Sequence, residues 1–155
     1  MLYERILVPF DGSKFAKKAL DEAIKIAQNT GSVLYLCTVV TVSDVIPPGS
    51  LLGIVKNTTA KEFHAKLIKS AKVEAERTLS YQATFYCKSK GVKAYYKIII
   101  NGNIAEEILK TAKQKLIDLI VIGSQGLHGI SKIKTLGSVS RRVSELADCA
   151  VLIVR

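Results

Sequence analysis

Two periodicities divide this chain. Short blocks in which nearly every position is apolar alternate with longer stretches in which apolar residues return every three or four positions. The first block is Arg5-Ile6-Leu7-Val8-Pro9-Phe10, and it ends on Asp11-Gly12-Ser13. Pro9 falls at the end of that run, where it removes no ladder hydrogen bond. Later blocks cover residues 33–40, 92–100, 118–122 and 150–154. Continuous rather than alternating apolarity marks strands buried on both faces, as in a parallel sheet covered by helices.

Between the blocks the period is helical. Ala16, Ala19, Leu20, Ala23, Ile24 and Ala27 share one face, while Lys14, Lys17, Lys18, Asp21 and Lys25 point elsewhere. Asp11 or Ser13 is expected to cap this helix, and Asn29-Thr30-Gly31 to stop it. Thr58 or Thr59 is expected to open a second helix with Phe63, Leu67, Ala71, Ala75 and Leu79 inward, the pattern running on through Phe85 and ending at Gly91. Asn103 and Glu106 have capping-box spacing and open a third helix with Ile104, Ala105, Ile108, Leu109 and Ala112 inward. A last helix over residues 137–147 places Val139, Val143 and Leu146 on one face, with Ser138 a candidate N-cap. The order β-α-β-α-β-α-β-α-β predicts an α/β fold, a five-stranded parallel doubly wound sheet with helices on both faces, in one domain over residues 1–155. Residues 43–57, with Pro47-Pro48-Gly49, read as a long irregular connection.

Composition narrows the class. The chain has 155 residues, 48% apolar and 23% charged, ordinary values for a globular protein. No apolar run approaches the length of a membrane span, and the first residues lack the apolar stretch and cleavage site of a signal peptide, so a cytoplasmic location is expected. Cys37, Cys87 and Cys149 are far apart and have no metal-ligand spacing, and His64 and His128 are the two histidines. The net charge of +10 suits an anionic partner. Its lysines are dispersed along helix faces rather than gathered into a stripe, which argues against nucleic acid and suits a small polyanion.

The chemistry concentrates after the fourth strand, in Gly123-Ser124-Gln125-Gly126-Leu127-His128-Gly129-Ile130 and then Leu136-Gly137-Ser138-Val139-Ser140. An apolar strand, a glycine-rich loop and a helix start is how α/β proteins hold phosphate: glycines let the backbone approach an anion, and free N–H groups at the helix start point at it. Ligands in such sheets lie beyond the carboxyl ends of the strands, where Asp11, residues 39–41 and this loop all fall. Other phosphate loops do not fit. The first strand lacks G-x-G-x-x-G, and residues 129–135 lack the glycine before the lysine of a Walker A loop. The third strand ends Ile100-Asn101-Gly102 without the aspartate of a response regulator, and no G-x-S-x-G elbow occurs.

The opening Ile6 to Ser13, the Gly102 to Leu109 stretch, Gly123-Ser124-Gln125-Gly126, Leu136-Gly137-Ser138-Val139 and the closing Ala150 to Val154 resemble, in this order, the universal stress protein family over essentially the whole chain. The resemblance implies strand order 3-2-1-4-5 and a homodimer paired through the C-terminal strand Ala150–Val154. It also implies an adenine nucleotide site of the ATP-binding branch. That branch has a loop of the form G-2x-G-9x-G-[ST], here Gly123, Gly126 and Gly137-Ser138, whose N–H groups with that of Val139 would take the phosphates. Asp11 would lie beside ribose and adenine with Pro9 nearby, and main chain at Val39 would read the adenine edge. Ten residues separate Gly126 from Gly137 where the pattern has nine, and Gly129 is expected to absorb the extra one as a bulge.

The expected ligand is ATP or a related adenine nucleotide, with or without magnesium, in a stress-response regulatory protein acting on an unidentified partner. No catalytic and no protein metal site is assigned. Asp11 is the one acid near the loop, which favours binding over an enzyme and leaves weak ATP hydrolysis as the upper limit. A family scaffold with no ligand, or a slow ATPase, is the alternative.

Overall fold

The computed structural model describes residues 2–41, 60–127, 129 and 135–155. Among these residues five strands and four α-helices follow the anticipated alternation: β1 (Arg5–Pro9), α1 (Lys14–Thr30), β2 (Val33–Val40), α2 (Ala60–Ser80), β3 (Ala94–Ile100), α3 (Ile104–Gln114), β4 (Leu119–Gly123), α4 (Ser138–Leu146) and β5 (Ala150–Val154). The strands form one sheet in the order β3-β2-β1-β4-β5, all neighbours parallel. This is the order that the family resemblance implies, in the doubly wound fold that the alternation of strands and helices predicts. The reversal falls between β1 and β4, so the crevice opens there, beyond their carboxyl ends.

Strand pleating explains the two-sided burial. Ile6, Val8, Leu34, Leu36, Leu119 and Val121 face α1 and the end of α2. Leu7, Cys37, Ile120 and Ile122, their alternates, face α3 and α4. All six apolar residues anticipated for α1 are buried. Each fully buried leucine or isoleucine there stabilises the fold by about 1.5–3 kcal/mol relative to exposure. Ser13 is the cap of α1: its Oγ accepts from Ala16 N at 3.1 Å. Asp11 does not cap the helix; its Oδ1 accepts from Ser13 N at 2.9 Å and closes a turn within the loop. Asn103 Oδ1 accepts from Glu106 N at 3.2 Å at the start of α3, the forward half of the expected capping box.

Two inward positions differ from expectation. Phe85 is 61% exposed, because the helix that carries it widens into a π-helical stretch, Tyr81–Cys87. Leu79, Ala83 and Cys87 are the buried residues there. A spacing of four overruns the 3.6-residue turn of an α-helix, and the wider i→i+5 turn keeps such a row on the sheet. Phe85, two residues off that row, instead stacks on Tyr81 at 5.2 Å between ring centroids. Leu146 is likewise exposed, and Ala147, four residues after Val143, packs against the core in its place. The expected start of α2 at Thr58 or Thr59, and the 43–57 connection, lie outside the described residues.

Candidate functional site

The nine residues singled out in the sequence (Pro9, Asp11, Val39, Gly123, Gly126, Gly129, Gly137, Ser138 and Val139) line one cavity of about 380 Å³ at the crevice. That is enough room for a small ligand. Three sequence-distant segments meet there because parallel strands deliver their carboxyl ends to one side of the sheet.

The wall on the β2 side comes from strand register. Odd-numbered residues of β2 bond to the β1 side: Val33 N donates to Glu4 O at 2.9 Å, and Phe10 N to Cys37 O at 2.8 Å. Even-numbered residues bond to the β3 side: Leu34 N donates to Lys93 O at 3.0 Å, and Asn101 N to Val40 O at 2.9 Å. Val39 is the next residue facing β1, but β1 has ended and the chain has turned away at Asp11. Its N–H and C=O therefore face the crevice as a donor and an acceptor side by side, a pair suited to the edge of a planar base.

Beneath Val39 the floor is apolar. Cys37, Ile104, Ile108 and Ile122 line it. Burial pushes the Cys37 thiol up to about 12 despite the nearby Lys97, so it is a neutral, apolar surface at any physiological pH. These four residues did not stand out as site residues in the sequence. Apolar residues on strands and on an inward helix face read as core. The one available signal was that Cys37 lies two residues before Val39, on the same side of the strand.

The opposite wall is the glycine loop and the start of α4. Ser124 organises it. Its N–H donates to Val154 O at 2.8 Å, and its carbonyl accepts from Gly137 N at 2.8 Å and from Ser140 Oγ at 2.9 Å. These bonds fix the returning arm of the loop against the end of β4. Gly137, not Ser138, is the N-cap, with φ −64° and ψ 160°, and no side chain caps the helix. The first backbone bond of the helix runs from Arg141 N to Gly137 O at 3.0 Å. The N–H groups of Ser138, Val139 and Ser140 therefore have no partner within α4. In α1 and α3 a cap side chain takes a first-turn donor; in α4 no side chain does, and the residues that carry those donors line the cavity. Gly137 contributes geometry rather than a donor, since its N–H is already spent on Ser124.

Asp11 completes the rim. A Cβ placed on Gly126 would come within 3.0 Å of Asp11 Oδ2, so the carboxylate and the glycine turn are in contact. Asp11 is the one charged side chain among the described residues lining the cavity. Positive potential there comes from the α4 dipole and its open N–H groups. Gly129 N donates to Gly126 O at 3.1 Å, a tight turn at the start of the loop. The bulge expected at Gly129 falls on a stretch that, with His128, Lys132 and Lys134, lies mostly outside the described residues. Arg141 and Arg142 are exposed. Among the described residues no cluster of three or more histidine, cysteine or acidic side chains is placed to hold a metal, and no helix is long and apolar enough to cross a membrane.

The sequence pattern of the universal stress protein family matches residues 2–155. The chain belongs to that family. Universal stress protein YxiE of Bacillus subtilis is 38% identical over 154 residues, covering 99% of this chain and 100% of the relative. The solved universal stress protein UspA of Lactobacillus plantarum superimposes with a TM-score of 0.81 at 27% identity, covering 99% of this chain and 98% of that one. A universal stress protein of Archaeoglobus fulgidus, solved in complex with dAMP, shares the fold with a TM-score of 0.63 at 23% identity, covering the whole of both chains.

Proposed function

We propose that this protein binds an adenine nucleotide, ATP above all, as a regulatory ligand. The observation that carries the reading is the uncapped start of α4, with its open N–H groups in the same cavity as the exposed main-chain pair of Val39. One end of the cavity suits phosphate and the other suits a base, and Asp11, on the same lining, would meet the ribose. The Archaeoglobus relative shows that this fold accommodates an adenine nucleotide. Magnesium, if it accompanies the ligand, would ride on the phosphates with Asp11 as the one carboxylate among the described residues lining the cavity, which suits a cation that keeps most of its waters. Weak hydrolysis is the most such a site supports, because phosphoryl transfer also needs a group to orient the attacking water. Isothermal titration is expected to show ATP binding with a micromolar to low-millimolar Kd, and adenosine binding more weakly. No heat with millimolar ATP, ADP, AMP or cyclic AMP would remove the reading.

We also propose that two copies pair through β5 to form a homodimer, and that nucleotide occupancy is read by a regulated protein from that assembly. β5 is the edge of the sheet, carries no charge or proline between Ala150 and Val154, and leaves Leu152 partly exposed. An uncovered apolar edge of this kind is a template for pairing. Leu152→Lys is expected to shift light-scattering mass from dimer to monomer; an unchanged mass would rule the β5 interface out.

A further inference from the structure

We propose that Gln125 is the positioning residue of the loop, a side-chain strap that holds the open start of α4 in register across a loop one residue longer than the ATP-binding pattern. The inference rests on the nucleotide reading above and goes beyond it by assigning a residue that the motif leaves unspecified. Gln125 is nearly buried, 9% exposed, although it sits in the middle of a glycine loop. Its Nε2 donates to Thr135 O at 3.0 Å, ten residues on. It thereby joins the outgoing arm to the returning one immediately before Gly137.

Sterics add a second observation. A Cβ on Gly129 would lie 2.6 Å from Gln125 Cβ, so the outgoing turn is folded tightly over this side chain. At Gly137 the nearest atom to an added Cβ is the backbone Cα of Gln125, at 3.5 Å, so the returning arm runs beside the Gln125 backbone. Gln125 is thus packed under the Gly129 turn and tied by a hydrogen bond to Thr135. The described ends of the loop are fixed by these contacts and by Ser124, whatever the number of residues between them. A loop held in its binding geometry before the ligand arrives does not spend binding energy on ordering. The strap makes the extra residue tolerable.

The test uses Gln125→Met, which keeps the length and loses the donor, and Gln125→Glu, which keeps the shape and cannot donate to a carbonyl. Amide hydrogen exchange of the full chain without nucleotide is read at Gly137, with Leu7 and Ile120 in the sheet as references. Both variants are expected to speed Gly137 exchange about three- to tenfold with the references unchanged, the range for one net hydrogen bond. ATP titration of Gln125→Met is expected to raise Kd by a similar factor. Unchanged Gly137 exchange in both variants overturns the strap. Faster exchange with an unchanged ATP Kd overturns its role in positioning. If the unsubstituted protein binds no nucleotide, the functional reading falls and the exchange measurement decides the strap by itself.

Discussion

Gly123→Ala is expected to lower the melting temperature by roughly 6–12 °C. The last residue of β4 is fully covered, and a Cβ there would stand 2.7 Å from the carbonyl carbon of Phe15 and 2.9 Å from its oxygen. Those atoms belong to the backbone of the first turn of α1, which is pinned by the Ser13 cap and cannot swing aside as a side chain would. Overpacking against backbone costs about 3 kcal/mol, and in a chain of this size each kcal/mol moves the melting temperature by roughly 2–4 °C. Gly137→Ala is the control. Its backbone is in an ordinary extended conformation, the nearest atom to an added Cβ is 3.5 Å away, and the cost is expected to stay below about 1 kcal/mol. Thermal unfolding of the two variants side by side separates a glycine that seats α1 on β4 from one that only begins α4. Equal melting temperatures would refute the close packing. The consequence for function is that Gly123 serves the site indirectly: it brings the α1 start, with Asp11 and Ser13, close to the loop.

Most of the architecture was legible because burial on both faces writes itself as unbroken apolar runs. Residues 33–40 form β2 without a change of boundary, and the six inward residues of α1 are all correct. Phe85 was misread because an aromatic residue in a helical stretch looks like core, and a π-helical widening leaves no mark in composition. Leu146 differs because it ends α4 on the solvent side, while Ala147, the residue that closes the helix, packs against the core. The glycine loop stands out in the sequence because closely spaced glycines follow an apolar strand and precede a helix; that these glycines line one cavity with Asp11 and Val39 is what the structure adds. The cap of α4 was placed one residue late, since serine beside glycine is normally the capping side chain. Here Ser124 and Ser140 hold the Gly137 backbone directly, and no cap side chain is required. Cys37, Ile104 and Ile108 belong to the core and to the cavity at once, a double role visible only when the end of β1 uncovers them.

Ser138→Pro is expected to weaken ATP binding at least tenfold while leaving the melting temperature unchanged or slightly higher. Ser138 is the first residue of α4, the position where proline is best tolerated, because its N–H has no helical partner and its φ suits the ring. The residue before a proline must be extended, and Gly137, at φ −64° and ψ 160°, already is. The substitution therefore deletes one donor at the phosphate end with almost no conformational penalty, and rigidifying the unfolded chain can add about 0.4–1 kcal/mol of stability. A hydrogen bond to a charged group contributes about 1.5–3 kcal/mol, a factor of roughly 10 to 100 in Kd. Ser138→Ala, which keeps the N–H and loses only the hydroxyl, is expected to retain most of the affinity. Adenosine, which has no phosphate, is expected to bind both variants as it binds the unsubstituted protein. ATP bound equally well by Ser138→Pro would mean that the phosphates do not rest on α4, and the open helix start would lose its place as the anion end of the site.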